Sequence, residues 1–124
     1  MNYKNEAHRN TFRAFVEKSP YKHANSFLAA IYILTSSGNL WKSAKQNICG
    51  RSLDLQTKNY PHLSRYESIL LKFARDIHED TSFANIHDLC DDYLISDKTF
   101  ELIYNALAIA RKGYNVIDVK KKFL

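Results

Sequence analysis

Glycine, proline and cysteine are all scarce in this chain of 124 residues, with three, two and two copies respectively. So few glycines leave no glycine-rich loop of the kind that cradles a phosphate. There is also no Gly-x-Ser-x-Gly elbow to carry a nucleophile. The two cysteines, Cys49 and Cys90, are too few for a disulfide framework, and the paired cysteines that announce structural zinc are missing. No apolar run approaches the roughly eighteen residues needed to span a bilayer. No charged, then apolar, then small-residue leader opens the chain. These absences lead to the expectation of a cytoplasmic protein with reduced thiols, no membrane partner and no cofactor.

What is present is ordinary for a globular domain: 45% apolar and 25% charged residues. A chain of this size buries about two thirds of the surface its unfolded form exposes, enough for a core within a single domain over residues 1–124. Leu, Ala, Ile, Lys and Asn recur at helical spacings, so the expected class is all-α. The expected architecture is a compact bundle of five to six helices, with room for a short extended piece in 51–63.

Tyr3 to Lys18 reads as a first helix with Phe12, Phe15 and Val16 inward, ended by Ser19-Pro20. From about His23 to Thr35 runs the least polar helix, apolar on more than one face and hence central. Gly38 is expected to cap it in the left-handed region, and Asn39 to open a short helix through Ile48 that stops at Gly50. Residues 51–63 lack helical periodicity, although Ser52 to Gln56 alternates polar and apolar. Ser64 and Glu67 form a capping box, opening a helix whose stripe is Ile69, Leu70, Phe73, Ala74 and Ile77, with Lys72 and Asp76 four apart outside. Ser82 or Asn85 starts a short helix. Ser96 caps a long one with Phe100, Ile103, Leu107 and Ala110 on one side, Ala106 and Ile109 on another, and Gly113 as its stop. A last helix using Val116, Val119 and Phe123, a strand or a frayed end all fit the tail.

The formal charge of +5 is unevenly distributed. Residues 1–75 carry twelve basic and four acidic side chains, net +8; residues 76–101 carry one and eight, net −7; residues 102–124 carry five and one, net +4. An acidic segment lies between two basic ones.

Within residues 83–113, Cys90, Ile95, Ser96, Thr99, Phe100 and Ile103 fall where a repressor-type helix-turn-helix wants them, so a DNA-binding regulator is one reading. Leu94 departs from the pattern, standing where a glycine with positive φ is usual. Charge argues against it more strongly. Asp97, Lys98, Glu101 and Leu102 would face the duplex from the second helix and Asp88, Asp91 and Asp92 from the first, a surface that repels phosphates.

Two weaker chemistries deserve weighing. His87, Cys90 and Asp91 share a helical face, and His78 could complete a zinc-like set. Against this, Cys90 is expected to pack inward with Ile86 and Leu89 as a small hydrophobe. Cys49 has no evident base beside it. No catalytic or metal residue is therefore assigned, and His8, His23 and His62 are read as surface or capping residues.

Asn5-Glu6-Ala7-His8 with Phe12 and Phe15, the run from Phe27 to Leu34 followed by Gly38-Asn39-Leu40-Trp41, and the run from Phe100 to Leu107 with Arg111 together resemble a family of small bacterial proteins. That family is known only as a domain of unknown function, often carried by mobile elements and prophages. The resemblance implies a compact helical domain without a characterised activity, and no functional residue is carried over.

Binding surfaces remain. Asp88, Asp91, Asp92, Asp97 and Glu101 could imitate phosphate spacing or meet a basic groove on a protein partner. Arg9, Arg13, Lys18, Lys22, Lys42 and Lys45, with Arg51, Tyr21 and Trp41, form the alternative, a basic patch for nucleic acid or an acidic protein. Opposite lobes could also pair in a homo-oligomer. The expectation is a non-enzymatic protein that binds a macromolecular partner, an accessory or inhibitory protein of a phage or mobile element.

Overall fold

The computed structural model describes residues 3–21 and 24–113. Lys22, His23 and the tail with Val116, Val119 and Phe123 lie outside them. Of the described residues 66% are helical, in six α-helices and two short 3-10 turns, with one small hairpin, so the all-α class holds. The helices are α1 (Glu6–Lys18), α2 (Asn25–Leu34), α3 (Gly38–Ala44), α4 (Arg65–Glu79), α5 (Ile86–Cys90) and α6 (Asp97–Lys112).

Every residue of α2 from Phe27 to Leu34 is buried. A helix that is apolar all round can only be covered on all sides, and α4 and α6 pack along it while α1 and α3 close what remains. The side chains that cover it come largely from Phe12, Leu40, Leu70, Ala74, Ile103 and Ile109. The extended piece is a hairpin in which β1 (Ile48–Cys49) pairs antiparallel with β2 (Ser52–Leu53), turning at Gly50 with φ +63°. It therefore begins before residue 51, and the helix expected to reach Ile48 stops at Ala44.

The junction between α2 and α3 also differs from expectation. Gly38 is no left-handed cap; it is the first residue of α3, and Ser37 caps that helix by accepting the Leu40 N–H (3.3 Å). Asn39 instead donates to Glu67 (3.1 Å). The capping box of α4 is present, Ser64 Oγ accepting from Glu67 N (3.1 Å) and Glu67 Oε1 from Ser64 N (3.0 Å). Ser37 Oγ donates to the same carboxylate (2.7 Å), so Glu67 ties two helix starts together. Burial pushes its carboxyl up, but the hydrogen bonds from Ser37, Ser64 and Asn39 outweigh this and hold it below the usual range.

His8 is the larger surprise: the expected surface histidine is 1% exposed. Its Nδ1 accepts the Lys4 N–H (3.0 Å), which leaves the proton on Nε2 to donate to the Tyr32 carbonyl (2.7 Å). Tyr3 and Tyr32 pack against the ring, and Phe12 stands edge-on to Tyr32 behind it. Desolvation lowers its pKa to about 4, with Lys4 adding to the shift and the Tyr32 bond opposing it.

A histidine depressed in the folded state is protonated first in the unfolded one, so stability falls as pH drops from about 6.5 towards 4. The full shift corresponds to roughly 3 kcal/mol. Urea unfolding of the native chain should weaken by that order across this window, and His8→Gln should flatten the slope. An unchanged slope in the variant would mean that His8 is not the group responsible. Glu67→Ala, measured at neutral pH, should cost about 1–2 kcal/mol through the lost cap and the unpaired Ser37 and Asn39 donors.

Candidate interaction surface

The acidic segment begins on α4 and is shaped by its own carboxylates. Asp76 does not pair with Lys72 as its spacing suggested. Its Oδ1 accepts from the Thr81 hydroxyl (2.6 Å) and the Phe83 N–H (2.9 Å), and its Oδ2 from the Ala84 N–H (2.7 Å). One side chain thus folds the loop after α4 back onto that helix. Asp80 ends α4 in the left-handed region at φ 57°, where an Asp is tolerated better than most residues. The i, i+4 ion pair on this helix is Arg75 to Glu79 (2.8 Å), and the Arg75 guanidinium also lies over the Phe83 ring at 4.0 Å.

Asn85 caps α5 by accepting the Asp88 N–H (2.9 Å), and Ser96 caps α6 by accepting the Thr99 N–H (3.2 Å). Between them Asp91 builds the turn. Its side chain accepts the Tyr93 N–H (2.9 Å) and its carbonyl the N–H groups of Leu94 (3.1 Å) and Ile95 (2.9 Å). Leu94 does not adopt the positive φ that a repressor turn asks of its glycine position. The first helix of this pair is only five residues long. Asp97, Lys98 and Glu101 are exposed at the start of α6, as expected.

The packing expected of α5 fails. Cys90 is exposed and Ile86 is 78% exposed, and only Leu89 of α5 reaches the core. On α6 the buried side chains are Thr99, Leu102, Ile103, Asn105, Ala106 and Ile109, so Phe100 and Leu107 face outward. Asn105 is buried because its Nδ2 donates to the Tyr32 hydroxyl (3.3 Å).

Seven large apolar side chains are exposed among the described residues, and six of them (Phe83, Ile86, Tyr93, Phe100, Tyr104, Leu107) fall between 83 and 107. Tyr93 is fully exposed. Leu107 and Ile86, with Phe73, Ile77, Leu89 and Ala110, also line an open groove of about 410 Å³ between α4, α5 and α6. The surface combines apolar side chains with Asp88, Asp91, Asp92, Asp97 and Glu101. Sequence reasoning found the carboxylates and missed the hydrophobes beside them.

The basic alternative is less coherent. Arg9, Lys18, Lys42 and Lys45 are exposed, but Arg13 is half-buried and Trp41 packs edge-on against Phe15 (5.5 Å). Neither presents itself fully to a ligand.

His87 is exposed, and His78 is half-buried on α4 with its ring 6.0 Å from Phe27. Burial lowers the pKa of His78, with Glu79 opposing. No group of three His, Cys, Asp or Glu among the described residues is arranged to hold a metal ion. Sequence spacing gave Cys49 no neighbouring base, yet it lines the same shallow cleft as His78, between the hairpin and the end of α4. No helix among the described residues is long and apolar enough to cross a membrane. Comparison of the chain with protein-family models, with curated proteins and with solved structures finds no match.

Asp76→Ala should release the 81–84 loop and cost about 2 kcal/mol, since a charged acceptor of three hydrogen bonds is lost. Amide exchange read at Phe83 and Ala84 should accelerate more than in the middle of α4. Equal acceleration in both places would show that the loop does not depend on this carboxylate.

Proposed function

We propose that the protein works by binding, not by catalysis, and that its principal surface is the acidic, apolar-studded face built by α5 and the turn that leads from it into α6. The observation that carries this reading is the concentration of exposed large hydrophobes in one segment of the chain. Scattered single apolar side chains are normal on a protein surface, whereas a cluster marks a place that something covers. The same segment, residues 83–107, carries five acidic side chains and one basic, a net charge of −4. A basic protein surface is therefore favoured, and the phosphates of a nucleic acid are repelled.

The resemblance to small proteins of mobile elements and prophages gives this binding a context. An accessory or inhibitory protein in such a setting occupies the basic groove of a nucleic-acid-handling protein, with Asp88, Asp91 and Asp92 as the charges that meet it. In this reading the protein acts in the cytoplasm. The helix-turn-helix reading draws no support from the turn geometry at Leu94.

Affinity capture from the native host with the intact chain as bait should recover a basic protein, and Asp88→Lys with Asp92→Lys, which leave the turn built by Asp91 in place, should abolish that recovery. Capture should also weaken as salt is raised, because the rim contacts are charged. Recovery unchanged by the double substitution would sink the acidic surface, and salt-sensitive retention of duplex DNA by the unmodified chain would restore the regulator reading.

A further inference from the structure

Phe100, Tyr104 and Leu107 follow one another on α6 at spacings of four and three, and Arg111 continues the line four residues on. Such spacings place side chains along one helical face. The opposite face, with Leu102, Ile103, Ala106 and Ile109, is buried in the core. The exposed line is therefore turned away from the core, with Leu107 at its edge also lining the groove between α4, α5 and α6. Charge along this face is divided by position, with exposed Asp97 and Glu101 near the start of the helix and exposed Arg111 and Lys112 in its last turn.

We propose that this line is the seam of a two-fold homodimer in which α6 lies antiparallel against α6 of a second copy. An isologous contact needs a surface complementary to itself. Turned about a point near Tyr104, α6 meets that requirement. Asp97, seven residues before Tyr104, falls opposite Arg111 of the second copy, seven residues after its Tyr104, and the two-fold axis forms this pair twice. Phe100 and Leu107 flank the axis on either side.

The same division of charge discriminates against other occupants. A parallel pair of helices would set acid against acid and base against base, and a uniformly basic segment would meet like charge at Arg111 and Lys112. Antiparallel packing also sets the helix dipoles in opposition, which favours it slightly. One helix-to-helix seam is a small interface, so the association is weak, with a dissociation constant on the order of 10–100 µM. The proposal does not rest on the basic-partner reading, because Asp88, Asp91 and Asp92 precede α6 and stand outside the seam.

Sedimentation equilibrium of the full chain, from about 5 to about 500 µM to span that range, should show the average mass rising from 14.4 kDa towards twice that value. Leu107→Glu, at an already exposed position, should remove the rise while leaving the helical circular dichroism intact. Asp97→Arg and Arg111→Asp should each weaken association about tenfold, and combining them should restore it to within about threefold. A mass that stays monomeric throughout, a rise unaffected by Leu107→Glu, or a double variant no stronger than the single ones would overturn the proposal. None of these variants touches Asp88 or Asp92, so the outcome is separate from that of the capture experiment.

Discussion

The fold depends on burying α2 without leaving its backbone polar groups unsatisfied. Eight consecutive residues, Phe27 to Leu34, are removed from water. The last carbonyls of a helix have no partner within it, and an unpaired buried carbonyl is costly. Here the neighbouring chain supplies donors one by one. The Thr35 hydroxyl reaches the Ile31 carbonyl (2.8 Å), the Ser36 hydroxyl reaches that of Ile33 (2.6 Å), and His8 Nε2 reaches that of Tyr32 (2.7 Å). Lys4 Nζ then satisfies the Ser36 carbonyl (3.3 Å). The N-terminal segment is thus held against the far end of the helix at its centre, and a neutral, buried His8 is the consequence.

Elements whose signals are local were legible in the sequence. The box of Ser64 and Glu67, the Ser96 cap and the all-round apolarity of α2 each rest on neighbouring residues, and each is found. What escaped depends on tertiary partners. His8 lies four residues before Phe12 on the inward face of α1, a spacing visible in the sequence, but only the Tyr32 carbonyl explains why a polar ring belongs there. On α6 both faces carry apolar residues, so periodicity alone could not say which one α2 takes. The buried polar residues Thr99 and Asn105 disguised the true inward face. Within α5 a helix of five residues is too short to bury a stripe, which leaves Ile86 and Cys90 outside.

The acidic segment looks uniform as a row of letters and is divided in space. Asp76 organises a loop, Asp91 organises a turn and Glu79 is held by Arg75. Carboxylates accept from backbone N–H groups where the chain leaves regular structure, so Asp at a helix end is often spent locally. The count of acidic residues in 76–101 therefore overstates the charge offered to a partner. Asp92 and Asp97, both exposed, offer theirs more directly than Asp76 or Glu79.

Exposed apolar surface and dense negative charge in the same segment form one physical arrangement. An apolar cluster left bare invites indiscriminate association, and like charges set among the hydrophobes oppose it by repelling copies that approach in the wrong orientation. Such charges do not prevent burial; they select what may come near. On α6 the sign of the charge changes along the helix, which admits a second copy only when it runs antiparallel. On the α5 turn the charge is of one sign, which admits a basic surface. Under the two proposed binding modes, sequence-adjacent stretches would face different neighbours by charge pattern alone, while the hydrophobes that supply the contact are of the same kind in both.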